Sequence, residues 1–199
     1  MTIALIDDDE AVLHSLRLLL ESRGFEVRSF ASAEKFLKSI GTAMPACVVT
    51  DVRMPNVSGL ELQIALKKRD SSVPVILITG HGEIAMAVDA IKQGAFDFLE
   101  KPFDEERLIR SISNALEASR KLRDERDQRA DLVARVAELS PRQREVMLLV
   151  AEGLSNKEIA LRLDISPRTV ENYRAWVMEK MGARGLAELV RMVMLLDEG

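Results

Sequence analysis

Five short apolar runs, separated by amphipathic stretches, fill residues 1 to 116, and no other feature of the 199-residue chain constrains its fold as tightly. The runs are Ile3 to Ile6, Phe25 to Ser29, Cys47 to Asp51, Val75 to Thr79 and Phe96 to Glu100. Between the first two, Val12, Leu13, Leu16, Leu19 and Leu20 recur at helical spacing. Apolar strands alternating with helices belong in a parallel sheet covered on both faces, because each crossover helix buries its own stripe against the sheet. The expectation is an α/β domain with five parallel strands.

Composition adds limits. Apolar residues make up 47% and charged residues 30%, which suits one large or two small globular domains. The formal net charge is -4 and no segment is broadly basic, so any nucleic-acid surface must be a local patch. The single Cys47 precedes an apolar run, where it reads as a small buried hydrophobe and implies a reducing compartment. No apolar run approaches the roughly 18 residues of a membrane span, and the chain starts on the strand-like Thr2 to Ile6. A cytoplasmic location without a membrane partner is expected.

In such a sheet the carboxyl ends of the strands form the ligand edge. That edge would collect Asp7 and Asp8 after the first strand, Asp51 after the third, Thr79 after the fourth and Lys101 after the fifth. Crowded carboxylates favour a hard divalent cation, Mg²⁺ by availability. With a lysine and a hydroxyl beside them, the chemistry is phosphoryl transfer: one carboxylate attacks phosphorus and the cations neutralise the equatorial oxygens. Asp7, Asp8 and Asp9 can also cap the helix at 10 to 22, but capping needs one acid and leaves the four distant groups unexplained.

Asp7-Asp8, Asp51 within Asp51-Val52-Arg53-Met54-Pro55, Thr79 and Lys101-Pro102 together resemble the receiver domain of two-component response regulators over residues 1 to about 120. The resemblance implies a flavodoxin-like fold, phosphorylation of Asp51, and Mg²⁺ held by Asp8, Asp51 and the backbone carbonyl of Arg53, with Asp7 acting through water. It also implies a cis peptide bond before Pro102, a switch running from Thr79 to Phe98, and a phosphorylation-dependent dimer face on residues 84 to 99 that includes Val88 and Lys92. Arg53 and His81 would flank the phosphoryl group. As alternatives, Phe98 is a plain core residue and His81 a solvated loop residue.

From Asp104 to Leu139 no Gly or Pro occurs. Apolar residues thin out between Leu122 and Leu132, yet three acid-to-base pairs at i, i+4 support a helix: Glu117 with Lys121, Glu125 with Arg129, and Asp131 with Arg135. Residues 117 to 137 are expected to be a helical linker between a domain at 1 to 116 and another at 138 to 199.

In the second domain, Ser140-Pro141-Arg142-Gln143 and Ser155-Asn156-Lys157-Glu158 read as capping boxes, Gly153 as a stop and Ser166-Pro167 as another start. Helices are expected near 141 to 152, 155 to 163, 167 to 181 and 186 to 196, the middle pair forming a helix-turn-helix. Leu139 to Val146, Gly153 to Ala160 and Ile165-Ser166-Pro167-Arg168-Thr169-Val170-Glu171 resemble the LuxR/NarL class of DNA-binding domains. With the receiver motifs in front, the chain is similar to nitrogen-fixation response regulators of the FixJ type. Tyr173 departs from that class, which usually has His there. On the recognition helix, Val170, Val177 and Met181 should be core, while Arg168, Glu171, Asn172 and Ala175 face the groove. Lys157, Thr169, Tyr173 and Lys180 are candidate phosphate contacts, although a solvated helix face would account equally for Glu171 or Lys180.

The chain is therefore expected to be a phosphorylation-activated transcription regulator, an activator in the resembled family. A sensor histidine kinase, FixL-like by the resemblance, would phosphorylate it, and it would act as a homodimer on promoter DNA and RNA polymerase. Its only reactions would be phosphorylation and autodephosphorylation at Asp51. A metal-dependent phosphohydrolase and a purely protein-binding adaptor are the competing classes, separated by multiple turnover on a phosphoester and by salt-dependent DNA affinity.

Overall fold

The computed structural model describes residues 1–41, 44–69, 72–80 and 84–197, without the side chains of Ile84, Ala85 and Asp197. His81 lies outside the described residues. The chain divides into two compact units, Met1–Arg123 and Asp124–Gly199.

In the first unit the order is β1 (Thr2–Ile6), α1 (Glu10–Ser22), β2 (Glu26–Phe30), α2 (Ala33–Ser39), β3 (Cys47–Asp51), α3 (Gly59–Lys68), β4 (Val75–Thr79), α4 (Ile84–Lys92), β5 (Asp97–Glu100) and α5 (Glu105–Ala137). The strands form one parallel sheet in the order β2-β1-β3-β4-β5. Strand alternation builds two cores. Ala4, Ile6, Val48, Val75 and Leu77 point to the side covered by Phe36 of α2, Leu62 and Leu66 of α3 and Ala90 of α4. Ile3, Leu5, Cys47, Val49, Ile76 and Ile78 point to the other side, against Leu13 and Leu20 of α1 and Leu108 and Ile112 of α5. Such two-sided burial explains the unbroken apolar runs of the inner strands. Cys47 is fully buried, and burial pushes its thiol up to about 12, so it is a packing residue.

The edge strands show where sequence boundaries slip. β2 and β5 each start one residue later than the apolar pattern suggests, at Glu26 and Asp97. Phe25 and Phe96 sit just before them; Phe25 packs on the α1/α5 side, whereas Phe96 is exposed. An apolar residue flanking an edge strand looks the same in sequence as one inside it.

α5 is helical from Glu105 to Ala137, and the division between the units falls within it. Of the anticipated i, i+4 pairs, Asp131 and Arg135 meet at 2.9 Å.

The second unit continues with α6 (Pro141–Ala151), α7 (Asn156–Leu163), α8 (Pro167–Met181) and α9 (Leu186–Asp197). Serines cap three of these helices: Ser140 and Ser155 form reciprocal boxes with Gln143 and Glu158, and Ser166 accepts from the Thr169 amide. The α7–α8 turn is tight because Asp164 adopts a left-handed conformation, φ 53°. Val146, Met147, Ile159, Ala160, Val170, Val177, Met181 and Leu189 form the core, joined by Leu132 and Val136 of α5. Among the described residues no helix is long and apolar enough to cross a membrane.

Candidate functional site

Neighbouring strand ends place the acids. β1 and β3 pair in parallel with Ile6 opposite Thr50, so the next residues, Asp7 and Asp51, emerge together at the carboxyl edge where the strand order reverses. Asp51 is 9% exposed and Asp7 4%. Thr79, wholly buried, ends β4 beside them, and its carbonyl accepts the Lys101 amide at 2.7 Å. The Lys101–Pro102 peptide is cis.

Lys101 bridges the two carboxylates. Its Nζ lies 2.9 Å from Asp51 Oδ1 and 3.3 Å from Asp7 Oδ2. The remaining oxygens are also held: the Arg53 amide donates to Asp51 Oδ2 at 2.7 Å and the Asp9 amide to Asp7 Oδ1 at 2.9 Å. Burial opposes the Lys101 charge most strongly, but the hydrogen bond it donates to Asp51 and the charges of Asp7 and Asp51 outweigh it and hold the ammonium above its ordinary value. Asp7 moves up as well, because burial outweighs the Asp9 amide and Lys101, with the Asp51 charge adding to the rise.

The acidic run divides its tasks. Asp9 caps α1, accepting from the Ala11 and Val12 amides at 2.8 and 3.3 Å. That leaves Asp7 facing Lys101, while Asp8 is exposed. Two carboxylates, Asp7 and Asp51, share one ammonium, with Asp8 next in sequence, and an excess of hard carboxylate oxygens fits Mg²⁺. Among the described residues no three acids converge into a ready-made cage, so Asp8 would have to turn inward to serve as a ligand.

Gly59 is a site residue that sequence reading missed. It opens α3, its amide donates to the Val52 carbonyl at 3.0 Å, and a Cβ there would lie 2.3 Å from the Asp51 carbonyl oxygen. Nothing in a lone glycine after a capping serine signals that approach. Gly59→Ala is expected to cost about 1–3 kcal/mol of stability and to slow phosphorylation of Asp51, as read by denaturant unfolding and by labelling from acetyl phosphate. Wild-type values in both would show that the Asp51 backbone tolerates the shift.

Phe98 is half-buried against the α2/α3/α4 core, two residues before the Glu100 that pairs with Thr79. Val88 and Ile91 on α4 are 44% and 47% exposed, and Lys92 is exposed too. Ile91 was not singled out from sequence, although it stands three residues from Val88 on the same helix face.

On α8 the buried positions are Val170, Val177 and Met181, and Arg168, Glu171, Asn172 and Ala175 are exposed. Arg168 pairs with Glu171 at 3.3 Å, a surface contact worth about 0–1 kcal/mol. Lys157 on α7 is exposed. The Thr169 hydroxyl lies 2.8 Å from Ser166 Oγ, within the cap. Tyr173 is half-buried on the core and meets exposed Trp176 edge-to-face at 5.6 Å. Lys180, an expected phosphate contact, is exposed, and its Nζ donates to the Glu138 carbonyl at 2.7 Å and to Gln143 Oε1 at 3.2 Å. An ammonium held by two protein oxygens is a structural tie.

The response regulator receiver domain family matches residues 3–113, and the bacterial regulatory proteins of the luxR family match residues 137–193. The chain is 48% identical to the transcriptional regulatory protein FixJ of Bradyrhizobium diazoefficiens, across 96% of this chain and 94% of that protein. It is 42% identical to the response regulator protein TmoT of Ectopseudomonas mendocina, across 98% and 89%. Among solved structures, the response regulator StyR superposes with a TM-score of 0.87 at 40% identity, covering 97% of this chain and 98% of that one. Full-length FixJ from B. japonicum gives 0.61 at 48% identity, covering 98% and 97%.

Proposed function

Because the chain belongs to the two-component response regulators that join a receiver domain to a LuxR-family DNA-binding domain, we propose that phosphorylation of Asp51 governs its binding to promoter DNA. It is a transcription regulator and not a classical enzyme. The observation that carries the reading is Lys101 Nζ set 2.9 Å from Asp51 Oδ1 at the sheet's switch point.

The phosphoryl donor is a phosphohistidine of a sensor kinase, FixL-like by the FixJ resemblance. An Asp51 carboxylate oxygen attacks phosphorus, the P–N bond breaks, and the imidazole leaves with the electron pair and takes up a proton. The Lys101 ammonium, already positioned beside the carboxylates, turns to the phosphoryl oxygens. Asp8, Asp51 and the Arg53 carbonyl, with Asp7 through water, would hold Mg²⁺, which would supply further neutralisation of those oxygens. Water later cleaves the acyl phosphate, which makes autodephosphorylation the only hydrolysis.

Thr79 engages the phosphoryl group and Phe98 turns toward the space that this opens, which reshapes α4. Val88, Ile91 and Lys92 then form the homodimer face, and the pair of DNA-binding domains occupies two half-sites beside RNA polymerase. Residues 1–116 act as receiver and 138–199 as DNA-binding domain. Footprinting with and without acetyl phosphate and Mg²⁺ tests the scheme: protection should appear or strengthen only with both, and equal protection in all lanes would contradict it.

On α8, Arg168 suits guanine, Asn172 adenine, Glu171 the cytosine amine and Ala175 the thymine methyl, while Lys157, Thr169 and Tyr173 reach phosphates. Arg168→Ala or Asn172→Ala is each expected to cost about 1–3 kcal/mol on the protected sequence and little on scrambled DNA. Anisotropy titrations on both duplexes check this, and equal losses on the two would make the residue a phosphate contact.

A further inference from the structure

Two hydrogen bonds tie the end of α8 to the end of α5 and the residue just past it, and nearly all of α5 precedes the luxR-family match at 137–193. At the carboxyl end of α8, Gly182 takes a left-handed conformation, φ 67°, and the chain closes on itself: the Gly182 amide donates to Glu179 O and the Ala183 amide to Met178 O. The Met181 carbonyl is bound from elsewhere, by Arg135 Nη1 of α5 at 2.6 Å. Asp131, one turn back on α5, holds the other arm of that guanidinium at 2.9 Å.

The tie is reciprocal. Lys180, in the last turn of α8, donates to the Glu138 carbonyl just past the end of α5. Each helix thus places a cation on a terminal carbonyl of the other, where the helix dipole is negative and the orphan carbonyls need donors. Leu132 and Val136 bury between these contacts, in the core that also holds Val170, Val177 and Met181. Farther back on α5, Arg129 Nη2 reaches the Leu196 carbonyl near the end of α9 at 3.3 Å. A Cβ on Gly182 would lie 2.5 Å from Arg135 Nη1, so glycine leaves room for the clasp.

We propose that the last turns of α5, from Arg129 to Glu138, are part of the DNA-binding unit, and that Arg135 is a positioning residue fixing the direction of α8 by reciprocal capping with Lys180. Arg135 touches no base in this scheme. It sets the angle at which Arg168, Glu171 and Asn172 meet the groove. The proposal rests on α8 being the recognition helix.

The test uses the full chain treated with acetyl phosphate and Mg²⁺, a duplex enriched by the unsubstituted protein from a random pool, and a scrambled duplex of equal length. Arg135→Ala should weaken binding to the enriched duplex about tenfold and leave the scrambled duplex unaffected. Arg135→Lys, which keeps a cationic donor, should recover most of the loss. Lys180→Ala provides an arm at an exposed position that should fold whatever Arg135→Ala does. A positioning contact loses affinity on the enriched duplex alone, whereas a phosphate contact loses it equally on both and flattens the salt dependence by about one ion. Equal losses on both duplexes, or an unchanged preference in Lys180→Ala and in every folded Arg135 variant, would overturn the proposal. An unsubstituted chain that cannot tell the duplexes apart would instead overturn the assignment of α8.

Discussion

Asp51→Asn is expected to abolish the response of DNA binding to acetyl phosphate while leaving the fold intact. The amide matches the carboxylate in shape and can still accept from the Arg53 amide, which now donates at 2.7 Å. It cannot act as the nucleophile, so no acyl phosphate forms. The loss in affinity should be large because it is a loss of linkage: pairing two half-site contacts through a receiver dimer raises avidity by about 10²- to 10⁴-fold. Anisotropy titrations under phosphorylating conditions should give the variant the affinity of the untreated wild-type protein. An acetyl-phosphate response of wild-type size in Asp51→Asn would move the modification to another residue.

Lys101→Ala should be nearly as damaging, for a different reason. Two carboxylates at 4% and 9% exposure share this one ammonium, and its removal leaves them facing each other. Phosphoryl transfer to Asp51 should slow by about 10²- to 10³-fold, the usual cost of losing one preorganised charge at a developing oxyanion. A change in stability should accompany it. The Asp7 carboxyl already lies above its usual 3.8 through burial and the Asp51 charge, and without Lys101 it rises further. A folded state that holds a proton more tightly than the unfolded chain gains stability as pH falls toward the unfolded value. Denaturant unfolding of Lys101→Ala, without divalent cation, should therefore show stability rising from pH 7 toward pH 4 relative to wild type. A flat difference would mean that the two acids do not sense each other.

In the wild-type protein the same linkage acts at the alkaline end. Lys101 is held above its ordinary 10.5, so its contribution is complete below that pH and is lost as pH rises through the shifted value.

Most of the fold was legible because periodicity and punctuation agreed. β3 and β4 are wholly buried, so their apolar runs mark their limits: Cys47–Asp51 and Val75–Thr79 match the reading to the residue. The serine caps at 140, 155 and 166 set the starts of α6, α7 and α8 for the same reason, since a cap is a local chemical event. What escaped depends on approach between distant segments. Gly59 matters because the Asp51 carbonyl comes within reach of its missing side chain, and Lys180 looks like any basic residue on a helix until Glu138 and Gln143 are seen beside it. Leu132 and Val136 sit at i, i+4 on one helix face, but two apolar residues in a charged stretch cannot announce the core that they join. At the candidate site, the contacts of Asp7 and Asp51 with Lys101 follow from strand order, whereas the exposure of Asp8 depends on which acid Asp9 leaves free after capping α1.

If phosphate on Asp51 sets DNA affinity, occupancy and affinity must rise together in one titration. Phosphate occupancy is measured by intact mass on samples of graded acetyl-phosphate exposure in Mg²⁺, and affinity for the footprinted sequence is measured on the same samples. Affinity should climb with occupancy and saturate with it, and Asp51→Asn should stay at zero occupancy with the affinity of the untreated wild-type protein. Full occupancy at Asp51 with unchanged affinity would contradict the account.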